Sequence, residues 1–94
     1  MTLELVTRVI DGDTFETSND RRSVRLNDVY APEKKERGYA AAKRILEILL
    51  PEDCEVYVET HAIDKYGRRV ADVYWAEDGG HVNAGIRKLI GDGA

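Results

Sequence analysis

Cysteine and long apolar runs are nearly absent from this chain. Cys54 is the single cysteine, which excludes an internal disulfide and a zinc site built from cysteines. Residues 1–10 carry no long apolar run, so the sequence shows neither a signal peptide nor a membrane span. We therefore expect a cytoplasmic protein that makes no membrane contact.

Positive charge is also in deficit, with 14 Lys and Arg against 18 Asp and Glu and a net charge of -4. Because Lys and Arg supply most of the affinity for a phosphate backbone, non-specific binding to nucleic acid should be weak. The basic residues are nevertheless clustered in three short stretches: Arg21, Arg22 and Arg25; Lys34, Lys35 and Arg37; and Lys65, Arg68 and Arg69. If folding brings these stretches together, an acidic protein keeps a positive cleft.

The length and composition indicate one small globular domain over residues 1–94. Hydrophobic residues make up 43% and charged residues 34%, and apolar positions are spread along the whole chain. A chain of this length is near the lower limit for building a hydrophobic core unaided, so the core should be small.

The apolar pattern predicts five short strands and two helices. Alternation and β-branched residues indicate strands at 3–10, 14–17, 22–29, 54–61 and 69–75. Asp11-Gly12 predicts a tight turn, and Pro32 ends the third strand. Helical spacing of apolar residues predicts helices at 39–50 and 82–90. This order predicts a mainly β protein of the α+β type: a five-stranded Greek-key barrel of the oligonucleotide/oligosaccharide-binding (OB) fold, with one helix after strand three and a short C-terminal helix.

Three charged motifs carry the chemistry: Asp11-Gly12-Asp13-Thr14, then Val24-Arg25-Leu26 running to Pro32-Glu33, then Asp64-Lys65-Tyr66-Gly67-Arg68. Carboxylate oxygens suit a hard metal ion, and guanidinium groups pair with phosphoryl oxygens two at a time. The motifs therefore indicate phosphodiester chemistry.

In order and spacing, these motifs resemble the staphylococcal-nuclease-like (thermonuclease) family, and Val82-Asn83 extends the similarity toward residue 90. The resemblance implies a calcium-dependent phosphodiesterase that cuts DNA and RNA and leaves 3′-phosphates. Its partner would then be nucleic acid.

The resemblance also implies roles for individual residues. Asp13 matches a metal-binding carboxylate, with Asp11 as a support behind it. Arg25 and Arg68 match two catalytic arginines, and Glu33 matches a glutamate that activates or orients water. Two further positions, Lys65 and Tyr66, match residues that contact substrate phosphate.

Taken one at a time, the same residues have simpler interpretations. Arg25 alone would be a surface charge, Asp13 a turn-forming carboxylate, and Tyr66 a ring packed over the barrel's end. Two further expectations are structural: Gly67 should have a positive φ, and Asn83 should tie the last helix to a neighbouring loop. The remaining candidates, His61 and His81, are far apart in the sequence and are expected to face solvent.

Tyr30 departs from the family pattern, because it stands where the family normally has a metal-binding aspartate. A neutral phenol is a poor calcium ligand, so calcium binding should be weakened. Asp28 lies two residues earlier on the same strand face and could substitute, but that spacing displaces it by about 7 Å. Two hypotheses stay open: a working nuclease with an altered metal site, or a nuclease-like module that binds nucleic acid or protein without cutting. The choice between DNA and RNA and the oligomeric state are open as well.

Overall fold

The computed structural model describes residues 1–90. Its elements in chain order are β1 (Thr2–Asp11), β2 (Thr14–Thr17), β3 (Val24–Leu26), α1 (Tyr39–Leu49), β4 (Glu55–Ile63), β5 (Arg69–Trp75) and α2 (Val82–Ile90). Every strand and helix that the sequence pattern predicts is present, in the predicted order.

The strands close into a barrel in the order β1-β2-β3-β5-β4, and pairing of β4 with β1 completes the circle. β3 and β5 run parallel, whereas the other neighbouring strands are antiparallel. This is the strand order of a five-stranded Greek-key barrel, so the predicted fold class is confirmed.

The third strand is much shorter than predicted, covering Val24–Leu26 instead of residues 22–29. Before it, the Asp20 carboxylate accepts the backbone N–H of Arg22 at 2.8 Å, a local bond that competes with strand pairing. After it, Asp28 has a φ of +58°, which lies outside the extended region. The predicted strand was therefore wrong at both ends, and residues 30–33 lie in a loop.

The core fills the barrel and extends beneath both helices. Its largest fully buried side chains are Phe15, Leu26, Leu46, Leu50 and Ile86, together with seven valines: Val6, Val24, Val29, Val56, Val58, Val73 and Val82. Their contacts form one continuous cluster, with Leu46 supplied by α1 and Ile86 by α2. The small core expected from the chain length is what the structure contains.

Asn83 fastens α2 to the barrel. Its side-chain oxygen accepts the N–H of Val73 at 2.9 Å, and its amide donates to the carbonyls of Ala71 at 3.0 Å and Asn27 at 3.1 Å. Because the residue is fully buried, these bonds satisfy polar groups that would otherwise destabilise the fold. The predicted structural role of Asn83 is confirmed.

The ladder between β4 and β5 contains a bulge at His61. Thr60 pairs with Ala71 and Ala62 pairs with Val70, which leaves His61 as the extra residue. A bulge of this kind twists the strand locally and redirects a side chain. Here it directs His61 toward Asp72, while the side chain stays 43% exposed, as the predicted solvent-facing position requires.

Candidate active site

A cavity of about 690 Å³ opens at the turn between β1 and β2. It is lined by Asp11, Asp13, Arg25, Tyr30, Ala31, Pro32, Glu33, Glu36, Arg37 and Arg68. Five of the sequence-predicted residues, from distant parts of the chain, thus line one cavity: Asp11, Asp13, Arg25, Glu33 and Arg68.

Gly12 lets the β1–β2 turn lie close to the rest of the cavity. A Cβ atom at this position would come within 2.7 Å of the Ala31 Cβ and 2.8 Å of the Ala42 Cβ, both too short for carbon atoms in contact. The turn therefore packs directly on α1 and on the loop after β3. This close approach holds Asp11 and Asp13 at the cavity wall.

Arg25 is held in place by the backbone around it. Its Nη1 donates to the carbonyl of Leu26 at 2.6 Å, and its Nη2 donates to the carbonyl of Val29 at 2.9 Å. The same Nη2 lies 3.5 Å from Oδ2 of Asp13. Because the Leu26 and Val29 bonds go to neutral carbonyls, much of the positive charge remains available to an anionic ligand.

Arg68 is positioned by a tight loop built around Asp64. One Asp64 oxygen accepts the backbone N–H groups of Tyr66 and Arg68, both at 2.9 Å, and the other accepts Nε of Arg68 at 2.8 Å. Gly67 has a φ of +81°, which confirms the prediction for this turn. Burial would raise the pKa of Asp64, but the bonds from Arg68 and Tyr66 lower it, so the carboxylate stays ionised. Within residues 1–90 the terminal Nη groups of Arg68 make no hydrogen bond and are free for a ligand.

Asp11 and Asp13 form a pair of neighbouring carboxylates at the cavity wall. Burial and a hydrogen bond with Asp11 raise the pKa of Asp13 to about 6, and the charge of Asp11 adds to the shift. A divalent cation would relieve this repulsion between like charges. The oxygen donors therefore fit a hard cation, which Asp13 would hold with Asp11 as the support behind it.

Tyr30 stands at the rim of the cavity and supplies no charge to it. Its side chain is 80% exposed, and its ring centre lies 5.6 Å from the guanidinium carbon of Arg25. This geometry is a cation–π contact. The phenol ring therefore covers one side of Arg25 at the position where the family normally has a carboxylate.

Three other sequence-predicted residues do not line the cavity. Tyr66 is 71% exposed, with its ring centre 5.2 Å from the guanidinium carbon of Arg68 and 5.3 Å from Nζ of Lys65. Lys65 and Tyr66 thus flank Arg68 from outside. Asp28 is exposed and does not line the cavity, so its position gives no support to Asp28 as a replacement for the expected aspartate.

Glu36 lines the cavity although sequence reasoning gave it no role in the site, and Arg37 lines it as a member of the second basic stretch. The Glu36 carboxylate accepts the backbone N–H of Glu33 at 2.6 Å, and the N–H of Glu36 donates to the carbonyl of Glu33 at 2.8 Å. This reciprocal pair fixes the loop that carries Glu33. The sequence signal was the spacing of three residues, which resembles the capping box of helix N-termini.

The predicted convergence of basic stretches is only partly observed. One arginine from each stretch lines the cavity: Arg25, Arg37 and Arg68. Arg22 pairs instead with Asp20, at 3.2 Å, and Arg69 turns away into the interior. The cavity therefore holds three arginines beside four carboxylates, those of Asp11, Asp13, Glu33 and Glu36, and is not the positive cleft that the sequence predicted.

His61 and His81 were both expected to face solvent, which is confirmed for His61, 43% exposed, whereas His81 is only partly exposed, at 33%. Sequence reasoning did not find the carboxylate that both rings contact. Nε2 of His61 lies 2.6 Å from one oxygen of Asp72, and Nε2 of His81 lies 2.7 Å from the other. The available signal was strand alternation, which places Glu59 and His61 on one face of β4. The pairing across to Asp72 depends on the strand register.

Comparison with known proteins agrees with this geometry. A family model described as staphylococcal nuclease homologue matches residues 23–93, and the chain belongs to this family. The matched range contains Arg25, Glu33 and Arg68, whereas Asp11 and Asp13 precede it.

Curated relatives carry nuclease names. An uncharacterized endonuclease of Escherichia coli O157:H7 is 39% identical over 80 residues, which cover 83% of this chain and 51% of that protein. A micrococcal nuclease of Shigella flexneri is 36% identical over 72 residues, which cover 73% of this chain and 40% of that protein. The chain thus spans about half the length, or less, of these relatives.

Neither of the helices within residues 1–90 has the length and apolar character needed to cross a lipid bilayer.

Proposed function

We propose that residues 1–94 act as one metal-dependent nuclease domain that hydrolyses phosphodiester bonds of DNA or RNA. The supporting observation is that Asp13, Arg25, Glu33 and Arg68 line a single cavity. Family membership and the nuclease names of the relatives support the same activity.

The two arginines would stabilise the transition state. During hydrolysis negative charge builds up on the non-bridging phosphoryl oxygens, and fixed guanidinium groups stabilise that charge best when they need no rearrangement. Arg25 is held by backbone carbonyls and Arg68 by Asp64, so both are preorganised. Outside the cavity, Lys65 and Tyr66 would contact the neighbouring phosphate.

Glu33 would activate or orient the attacking water. As the water oxygen bonds to phosphorus and the P–O bond to the leaving nucleoside breaks, the Glu33 carboxylate would accept a proton from the water, and the leaving oxygen would take a proton from solvent. The hydrogen bonds between Glu33 and Glu36 keep the loop in one conformation, while the Glu33 side chain itself is exposed to solvent and substrate.

Asp13, supported by Asp11, would hold the divalent cation, with calcium expected from the family. When bound, the cation would neutralise part of the charge on the phosphate. With Tyr30 in place of an aspartate, this site would bind calcium weakly.

A second candidate function is a module that binds nucleic acid or protein without cutting it. The observation that favours it is Tyr30, which brings an exposed ring to the rim and no carboxylate. Aromatic rings stack on the bases of single strands and add affinity without chemistry.

End-labelled single-stranded DNA and RNA, incubated with the purified chain in calcium or in a chelator, distinguish the two functions. The nuclease proposal predicts that the parent chain makes calcium-dependent fragments with 3′-phosphate ends. The Arg44→Ala control should make the same fragments, and Arg68→Ala should make none. Arg44 is a suitable control because it lies exposed on α1 and, among residues 1–90, forms an ion pair only with Glu47, at 3.9 Å. Binding that Arg68→Ala weakens, without cutting in calcium, magnesium or manganese, would instead establish the binding module.

A further inference from the structure

A second group of metal-ligating side chains lies on the outer face of β4 and β5, outside the cavity described above. Glu59 and Asp72 are paired across the two strands, and the bulge directs His61 toward them. Within residues 1–90, one ligand atom from each of Glu59, His61 and Asp72 lies within 4.8 Å of the other two. None of the three lines the nuclease cavity.

The distances in this group are close to those of a metal site. Nε2 of His61 lies 2.6 Å from Oδ2 of Asp72 and 3.9 Å from Oε1 of Glu59. Ligand atoms of a tetrahedral zinc site, with bonds near 2.0–2.1 Å, are about 3.3 Å apart. To reach that spacing, the His61–Asp72 distance must lengthen by about 0.7 Å and the His61–Glu59 distance must shorten by about 0.6 Å. Small side-chain rotations are enough for both changes.

His81 holds the remaining oxygen of Asp72. Its Nε2 lies 2.7 Å from Oδ1, and its ring stacks on Tyr74 with the ring centres 5.1 Å apart. A hydrogen bond that orients a ligating carboxylate commonly contributes a factor of 10 to 100 in metal affinity. His81 therefore has the geometry of a positioning residue.

The chemistry of the donors indicates the metal. Calcium and magnesium prefer oxygen ligands, whereas an imidazole with two carboxylates suits zinc and similar first-row divalent ions. The two carboxylates also give the site the charge needed to offset a divalent cation.

We propose that Glu59, His61 and Asp72 form a second metal site, selective for Zn²⁺ or a similar first-row divalent cation, in which His81 positions Asp72. A bound ion would join β4 to β5 at the bulge. Since the metal would bind the folded chain and not the separated ligands, it would also stabilise the fold.

Zinc titration against a chromophoric chelator tests the proposal, using the chain without a histidine tag and in an Asp13→Asn background that weakens the cavity site. We expect one zinc ion per chain, a rise in melting temperature with zinc, and no competition from excess calcium. His61→Ala should abolish binding, Glu59→Gln should weaken it at least about tenfold, and His81→Ala should weaken it by about 10 to 100 times.

Glu55→Gln is the matched control, because Glu55 is an exposed carboxylate on the same strand as Glu59. It should bind zinc like the parent chain. The melting temperature of each variant without metal identifies any variant that misfolds. If His61→Ala misfolds, Glu59→Gln still tests the proposal. The metal site is refuted if the parent binds no zinc, or if a folded His61→Ala or Glu59→Gln variant binds as tightly as the parent. Unchanged affinity in His81→Ala would refute the positioning role.

Discussion

Arg68 and Arg69 are adjacent in the chain and yet have opposite surroundings. The Arg68 side chain is 28% exposed and lines the cavity beside Asp64, whereas the Arg69 side chain is 5% exposed and pairs with the buried carboxylate of Glu4. Arg69 donates to both oxygens of Glu4, at 2.8 and 3.0 Å, and Thr17 donates to the same carboxylate.

The two arginines differ in how completely the barrel buries and pairs their charge. A buried charge is tolerated only when its partner and hydrogen bonds are complete, as they are around Arg69. The Arg68 side chain is partly exposed, and within residues 1–90 only its Nε is hydrogen-bonded, so its pairing with Asp64 fixes its orientation and leaves its terminal nitrogens open for the proposed substrate contact. The following substitutions test this contrast, from the largest expected effect to the smallest.

Arg69→Met should destabilise the fold by about 3–5 kcal/mol, because it leaves Glu4 buried without its partner. The free energy of unfolding from urea titration measures this. Arg8→Met, which breaks the exposed pair with Glu16, should cost no more than about 1 kcal/mol. The double variant Glu4→Met, Arg69→Met should recover much of the free energy of unfolding that Arg69→Met loses. Equal destabilisation by Arg8→Met and Arg69→Met would contradict the contrast between exposed and buried arginines.

Arg68→Ala should lower kcat by about 100- to 1,000-fold, the usual effect of removing one preorganised donor to a developing anion. Its stability should change by only about 1 kcal/mol or less, since the ion pair with Asp64 is partly exposed. Cleavage assays and urea titration on the same preparation separate the two effects. A large loss of stability would mean that Arg68 is structural like Arg69.

Tyr30→Asp should lower the calcium concentration needed for half-maximal cutting by about tenfold, because affinity in such sites follows ligand charge. Calcium titration of the cleavage rate measures this. Tyr30→Phe retains the ring and adds no charge, so it should leave the calcium requirement unchanged. An unaltered requirement in Tyr30→Asp would show that residue 30 does not face the cation.

Acid should lower the free energy of unfolding by protonating Glu4 in its buried ion pair with Arg69. Burial would raise the pKa of Glu4, but hydrogen bonds from Arg69, Thr17 and Thr2 lower it below its ordinary value of 4.5. The stability that this carboxylate contributes is therefore present above pH 4.5 and is lost as the pH falls through the lowered value. Urea titrations between pH 7 and pH 3 should show a smaller acid loss in Glu4→Gln than in the parent, and parallel profiles would disprove the link.

Much of this protein follows from short-range information in the sequence. Turn residues such as Asp11-Gly12 and Gly67, together with apolar spacing, predict the elements and the barrel, because hairpins and amphipathic helices depend on near neighbours. The motifs also identify which residues to test in the cavity. Their proposed catalytic roles remain predictions.

Only the tertiary structure reveals the contacts between residues that lie far apart in the chain. The sequence marks Arg68 as part of the Asp64-to-Arg68 turn and Arg69 as the first residue of a strand, but only closure of the barrel brings Glu4, 65 residues away, against Arg69. The meeting of His61 and His81 at Asp72 likewise requires the bulge and the register of β4 on β5. Such contacts depend on how strands align and close, which local sequence does not encode.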